Sequence, residues 1–260
     1  MSEEVFGRYS AYYDLLYADK DYVAEAEYVL RLLRHAAPAV CSVLEFGSGS
    51  GRHGRLLAGH GLDIFGIERS ETMVAAAKLQ APGSSQAGKK GMFDCQQGDI
   101  RSVNLERTFD AVISLFHVVC YQTSNADLQA TFVNAARHLQ NGGVFLFDVW
   151  HGPAVLSERP SVRVKRVEDA TTRLTRIAEP ELDTNLGTVT VRFTILAEAK
   201  ENGQLTTFHE EHPIRYLFPM EIDALAAQNG FEIERMEEYL SGNEPSTSTW
   251  GVAYLLRKHN

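Results

Sequence analysis

A chain of 260 residues, 44% hydrophobic and 23% charged, suits one large α/β domain or a domain carrying an insertion. Its net charge of −9 argues against DNA or RNA as the main partner, because such binding rests on clustered Lys and Arg. No apolar run approaches the roughly 20 residues that span a bilayer, and the opening Met-Ser-Glu-Glu has neither the basic nor the apolar region of a signal peptide. Cys41, Cys95 and Cys120 are scattered without CxxC spacing, which fits reduced thiols in a cytoplasmic protein. The nine histidines form no HxH, HExxH or Cys/His cluster, so no metal is expected.

The chain opens on a tyrosine-rich stretch, with Tyr9, Tyr12, Tyr13 and Tyr17. A helix is predicted over 21–37, with Val23, Ala26, Leu30 and Leu33 on one face and Pro38 beyond its end. Strands and helices then alternate. The predicted elements are a strand at 40–46, a helix at 52–59, a strand at 63–67 and a helix at 71–80 capped by Ser70. A loop follows at 81–91, then strands at 92–97 and 109–115, a helix at 126–139 stopped at Asn141-Gly142-Gly143, and a strand at 144–149. Regular β-α alternation implies a parallel sheet with helices on both faces. After Trp150 the pattern changes to β-like runs at 162–168, 173–178, 187–199 and 205–216, with an Asn202-Gly203 hairpin signal between the last two. A helix at 220–229 and strands at 231–239 and 249–257 close the chain. The expected organisation is a core of residues 1–150 and 218–260, with an antiparallel β insertion at 151–217 covering an acceptor site.

Residues 45–51, Glu-Phe-Gly-Ser-Gly-Ser-Gly, sit between the first strand and its helix. Gly47, Gly49 and Gly51 let the backbone turn tightly and approach a ligand closely, and the open N–H groups of the next helix face that ligand. Two cofactors compete for this cradle. Residues 49–54 match the GxGxxG dinucleotide fingerprint by letter, a weak signal. Glu45 followed by GxGxG matches the methyltransferase motif instead. Glu68 ends the second strand and suits the hydroxyls of a ribose in either case. Asp99 after the third strand suits the exocyclic amine of an adenine, with Ile100 against the ring. Asp99 and Glu45 together disfavour a nicotinamide oxidoreductase, and the intact loop and ribose acid disfavour a non-catalytic scaffold.

On these residues the chain resembles the class I S-adenosylmethionine-dependent methyltransferases over 40–150 and 218–257, with Asn141-Gly142-Gly143 as a further match. The resemblance implies a Rossmann-like seven-stranded sheet in order 3-2-1-4-5-7-6 with its last strand antiparallel, and S-adenosylmethionine as cofactor. Glu45, Gly47, Gly49, Gly51, Glu68, Arg69, Asp99, Ile100 and Phe116 are the candidate cofactor residues.

Ligands in such sheets lie at the carboxyl ends of the strands, so the acceptor is expected near 114–121, Asp148, Trp150 and His151, and the insertion. Tyr13-Asp14-Leu15-Leu16-Tyr17, the 114–121 stretch, the β-rich insertion and 208–218 with His212 resemble the nucleotide-linked aminosugar N-methyltransferases. That resemblance implies an acceptor pocket lined by Tyr17 and Tyr121. Where this family carries His at the position of Tyr121 it is a candidate base, so Tyr121 departs from that version, and His117 stands where small residues are usual. His117, Tyr121 and Tyr17 are the candidate catalytic residues. Tyr13, Tyr17, Trp150, His212 and Arg215 are the candidate acceptor contacts, although on a strand half the positions face away from any pocket. Arg159, Arg163, Lys165, Arg166, Arg173 and Arg176 cluster at the start of the insertion, where Arg163 and Arg166 are candidates for an acceptor phosphate. Other N- or O-methyl acceptors stay open, as does a homodimer.

Overall fold

The computed structural model describes residues 10–80 and 91–259. Tyr9 and all but the last residue of the loop expected at 81–91 lie outside the described residues. Strands β1 (Ser42–Phe46), β2 (Asp63–Glu68), β3 (Phe93–Gln97), β4 (Phe109–Ser114), β5 (Leu139–Trp150), β10 (Phe231–Glu238) and β11 (Gly251–Lys258) form one sheet. Its order is β10-β11-β5-β4-β1-β2-β3. β1 to β5 run parallel, and β11 is antiparallel to both neighbours. This is the order and the reversed last strand that the resemblance implies.

Helices α2 (Tyr22–Ala36) and α3 (Arg52–Gly59) pack on one face of this sheet, around Val29, Leu33, Leu57, Val43 and Leu146. Helices α5 (Asn125–His138) and α7 (Pro219–Gln228) pack on the other, around Phe132, Phe145, Phe147 and Tyr254. Side chains alternate along a strand. In β1, Val43 therefore joins the α2–α3 core, and Leu44 and Phe46 join the α5–α7 core. Helix α4 (Glu71–Leu79) begins where expected, and the Ser70 hydroxyl accepts the Met73 N–H.

The structure corrects several expectations. In α2 the buried stripe runs through Tyr22, Ala26, Val29 and Leu33, and Val23 is exposed. Asp21 caps this helix, accepting the Ala24 N–H at 2.9 Å. The Asn141-Gly142-Gly143 segment does not stop α5. Leu139 is already extended and pairs with Phe109, and the register then jumps to Ala111↔Val144, so residues 140–143 form a bulge inside β5. Two short helices escaped the sequence reading, α1 (Ser10–Leu16) and α6 (Gly152–Glu158).

A second sheet is built from β6 (Arg163–Glu168), β7 (Thr172–Asp183), β8 (Thr188–Ala199) and β9 (Leu205–Arg215), all antiparallel in sequential order. The β8–β9 connection contains Asn202-Gly203, but its loop is the four residues 200–203, closed by the Ala199 N–H on the Gln204 carbonyl. Helix α1 lies on one face of this sheet, where Leu16 meets Leu174, Ile195 and Phe208. No helix among the described residues is long and apolar enough to cross a membrane.

Candidate active site

A cavity of about 830 Å³ opens at the carboxyl ends of β1, β2, β4 and β5 and is roofed by α1 and the second sheet. One end is built from the glycine turn. Gly47 has φ +72°, and a Cβ there would fall 2.5 Å from a Val118 methyl. Gly49 has φ +53°, and a Cβ there would meet nothing within 4 Å, so its backbone lies open to the cavity. Glu68 at the end of β2 accepts the Gly49 N–H at 2.9 Å on one oxygen and the Ser70 N–H at 2.8 Å on the other. Burial pushes its carboxyl up, and these N–H groups pull the other way. Each oxygen keeps a lone pair for a further donor. Arg69, Ile100 and Phe116 also line the cavity.

Asp99 lines it too, but its carboxylate is gripped by Arg101, whose Nε lies 2.9 Å from one oxygen and 3.1 Å from the other. This guanidinium holds the Asp99 carboxyl below its usual range. It also reaches Asp127 at 2.6 Å. The sequence reading missed Arg101, and it also missed Tyr22, Arg52 and His53 beside the glycine turn. Arg52 pairs with Asp14 at 3.1 Å and His53 with Glu25 at 2.7 Å.

Glu45 is not where its motif role suggests. As an odd-numbered residue of β1 it points to the α2–α3 face, away from the cavity, and is 2% exposed. Among the described residues its Oε2 has no hydrogen-bond partner, and a Cβ on Gly54 would stand 2.7 Å from that atom. Burial pushes its pKa to about 8 against the pull of nearby Arg55.

The other end of the cavity gathers side chains from distant segments. Tyr13 and Tyr17 come from the N-terminal segment, with ring centroids 4.7 Å apart, and Tyr17 meets Phe116 edge-on at 5.1 Å. Arg176 on β7 donates to the Tyr17 hydroxyl at 3.1 Å. Tyr121 closes a 3₁₀ turn, Val118–Tyr121, and its hydroxyl lies 2.9 Å from His212 Nδ1. His212 Nε2 lies 3.1 Å from Glu210, and both side chains are buried. Burial pushes the Tyr121 hydroxyl well above the usual phenol range. Trp150 lines the cavity beside His117 and Trp250.

His117 follows Phe116 directly after β4, and both have left-handed backbones, φ +62° and +64°. Such conformations cost about 1–3 kcal/mol each and persist only where the surroundings enforce them. Asp148, in the middle of the sheet on β5, is the anchor. Its Oδ2 accepts the His117 backbone N–H at 3.1 Å and stands 2.7 Å from the ring Nδ1, off the line that a ring N–H prefers. Burial alone would raise the Asp148 carboxyl, but His117 brings it below its ordinary value.

Alternation sorts the insertion residues. Cross-strand partners share a face, so Arg163, paired with Ala178, and Lys165, paired with Arg176, look inward, while Arg166, paired with Thr175, looks outward. The candidate phosphate pair Arg163 and Arg166 is thus split, and Arg163 and Arg176 are the arginines of this sheet at the cavity. Lys165 is paired with Asp19 at 2.6 Å, and Arg173 with Glu198 at 2.9 Å. Arg215, three residues after His212, falls on the opposite face. It binds Glu221 at the start of α7 and does not line the cavity. His151 also lies off the cavity, with Nδ1 against the Thr249 carbonyl.

Residues 44–147 match the model of a methyltransferase domain. The dTDP-3-amino-3,4,6-trideoxy-alpha-D-glucopyranose N,N-dimethyltransferase of Streptomyces venezuelae is 30% identical over 233 residues, covering 88% of this chain and 92% of the relative. The dTDP-3-amino-3,6-dideoxy-alpha-D-glucopyranose N,N-dimethyltransferase of Streptomyces fradiae is 26% identical over 238 residues, covering 91% and 88%. The crystal structure of the sugar N-methyltransferase KedS8 from Streptoalloteichus superposes with a TM-score of 0.79 at 25% identity, covering 100% of this chain and 98% of that one. The glycine turn, the acid at the end of β2, the sheet order and these likenesses agree, and the chain belongs to the S-adenosylmethionine-dependent methyltransferases, alongside the dTDP-aminosugar N,N-dimethyltransferases.

Proposed function

We propose that the protein methylates the amino group of a nucleotide-linked aminosugar. The observation that carries this reading is the two-ended cavity. One end has donors and acceptors suited to an adenosyl group, and the other has an imidazole, phenols and two inward arginines suited to a charged, hydroxylated acceptor. The curated relatives act on dTDP-linked aminosugars by name, which supports the same class here.

The residues at the first end fit S-adenosylmethionine. Glu68 has lone pairs left for vicinal ribose hydroxyls, and Asp99 with Ile100 suits an adenine edge and face. The open backbone at Gly49 allows close approach. Bound there, S-adenosylmethionine supplies a methyl group on a sulfonium, open to in-line displacement. What the protein must add is position: an amine nitrogen held at roughly 3–3.5 Å from the methyl carbon, unprotonated and away from water. Tyr17, Tyr121 and Trp150 wall the acceptor end, and removing water there favours the neutral amine.

In this reading residues 151–217 cover the acceptor end of a core formed by 1–150 and 218–260. The unbridged thiols of Cys41, Cys95 and Cys120 support placing the enzyme in the cytoplasm. The test is incubation with S-adenosylmethionine and a panel of dTDP-linked 3-amino and 4-amino sugars, read by mass spectrometry. The expected result is a gain of one or two methyl groups on at least one amine. Turnover confined to hydroxyl acceptors or to amines without a nucleotide would overturn the proposal.

A further inference from the structure

We propose that His117 is the proton acceptor of the methyl transfer, through Nε2, and that Asp148 is its positioning residue. This rests on the reading of an amine acceptor. Three observations carry it. First, the His117 ring lines the cavity with 26% of its side chain exposed, whereas Asp148 is 1% exposed beneath it. Second, one carboxylate oxygen of Asp148 approaches both the backbone N–H and Nδ1 of His117, which fixes the residue in its left-handed conformation and claims the Nδ1 side of the ring. Among the described residues Nε2 has no hydrogen-bond partner, so it is the nitrogen left for a ligand. Third, the phenol of Tyr121 is already tied into a buried chain with His212 and Glu210. A phenol in that setting can orient an acceptor by hydrogen bonding, but it does not deprotonate near neutral pH.

The step balances. Nε2 of neutral His117 takes one proton from the acceptor ammonium. The freed lone pair forms the N–C bond as the C–S bond breaks, and that bond's electron pair stays on sulfur. The proton passes from Nε2 to solvent between turnovers, and a second methylation repeats the sequence.

Other titratable groups surround the pair, namely Lys20, Glu25, Tyr28, Cys120 and Tyr239. Burial holds the Tyr28 and Tyr239 hydroxyls and the Cys120 thiol protonated through the neutral range. Glu25 keeps its charge between His53 and Lys20. Its partner His53 and the buried His212 are the imidazoles from which His117 must be separated.

The experiment compares kcat and KM against pH for wild type, His117→Ala, His117→Asn, Asp148→Asn and Tyr121→Phe, on whichever aminosugar the wild type methylates. Asn tolerates a left-handed backbone, so His117→Asn separates loss of the base from loss of the fold. Binding of S-adenosylhomocysteine checks the integrity of each variant. Loss of a general base predicts a fall in kcat on the order of 10²–10⁴-fold for both His117 variants. The acid limb of the wild-type kcat profile should be replaced by a rate that keeps rising with pH. Asp148→Asn should lower kcat less, and Tyr121→Phe should raise KM while keeping the acid limb. Long-range ¹H–¹⁵N spectra of the wild type with S-adenosylhomocysteine should show neutral His117 carrying its proton on Nδ1, and Asp148→Asn should shift that preference. Wild-type kcat and pH profile in the His117 variants, or a proton on Nε2 in neutral His117, would overturn the assignment. Absence of any aminosugar turnover by the wild type would instead count against the amine reading, and the tautomer measurement tests the His117–Asp148 pair independently of it.

Discussion

The two ends of the cavity are built on different principles. The cofactor end comes from consecutive turns of single β-α units, with Gly47 and Gly49 in one, and Glu68 and Ser70 in the next. Its geometry is mostly backbone. The acceptor end comes from side chains of α1, the turn after β4, the end of β5 and the second sheet, joined by contacts such as Tyr121 to His212 across 91 residues. Its geometry is mostly rotamers and hydrogen bonds. Damage to the backbone of the first should therefore be close to all-or-none, whereas loss of a single side chain, which is most of what builds the second, should be graded.

The sharpest way to break this comparison is Gly47→Ala. The added Cβ would sit 2.5 Å from Val118 and force a residue with a side chain to φ +72°. Left-handed backbone costs about 1–2 kcal/mol and overpacking about 1–3 kcal/mol. The expected outcome is loss of S-adenosylhomocysteine binding by calorimetry together with a lowered melting temperature. Binding at wild-type strength would show that the turn is more pliant than its packing implies. Glu68→Ala comes next. Hydrogen bonds to a charged group contribute about 1.5–3 kcal/mol, so S-adenosylhomocysteine should bind roughly 10–100-fold more weakly. An unchanged dissociation constant would mean that Glu68 serves Gly49 and Ser70 rather than a ligand.

The same contrast explains what could be read before the structure. Gly47, Gly49 and Glu68 were legible because short-range spacing sets them, and the strand order followed only from the resemblance to a known family that those residues carry. Glu45 belongs to that motif by letter, but strand alternation turns it under α3, and only its facing in the folded sheet reveals this. Arg101 was not legible, since its grip on Asp99 takes meaning from Asp127 on α5. Asp148 was placed near the acceptor by its position at the end of the fifth predicted strand, but its partner was not legible, because it accepts the N–H of His117, 31 residues away. Helix α1 spans seven residues and escaped detection because helices this short depend on tertiary packing, here Leu16 on the second sheet.

Glu45 supplies the next test, within the cofactor motif but off the cavity. Its folded pKa of about 8 stands above the ordinary 4.5, because burial disfavours the charged form. The folded state then binds more protons than the unfolded one between these values, so its stabilising contribution is full below about pH 4.5 and is lost as pH rises towards 8. The slope is about 1.4 kcal/mol per pH unit at most. Glu45→Gln removes the titration. The variant and wild type should melt close together at about pH 5, and the variant should melt higher at about pH 8, by scanning calorimetry without ligand. A gap that does not change with pH would mean that Arg55 or another cation neutralises the carboxylate after all.

The smallest expected effects come from two arginines, one expected at an acceptor phosphate and one among the acceptor contacts, that the sheet separates. Arg163 is exposed, faces the cavity from β6 and has no ion-pair partner among the described residues. Arg215 is largely buried on the reverse face, holding Glu221 at the start of α7. An exposed arginine meeting a phosphate in water contributes about 0.2–1 kcal/mol. Arg163→Ala should therefore raise KM for a nucleotide-linked acceptor roughly 2–5-fold, an effect that shrinks as salt is added, and leave the melting temperature unchanged. Arg215→Ala should do the reverse, lowering the melting temperature through the uncompensated Glu221 while KM stays near wild type. If the two phenotypes were exchanged, the inward and outward faces of β6 and β9 would not decide which charges an acceptor meets, and the graded character of the acceptor end would need another source.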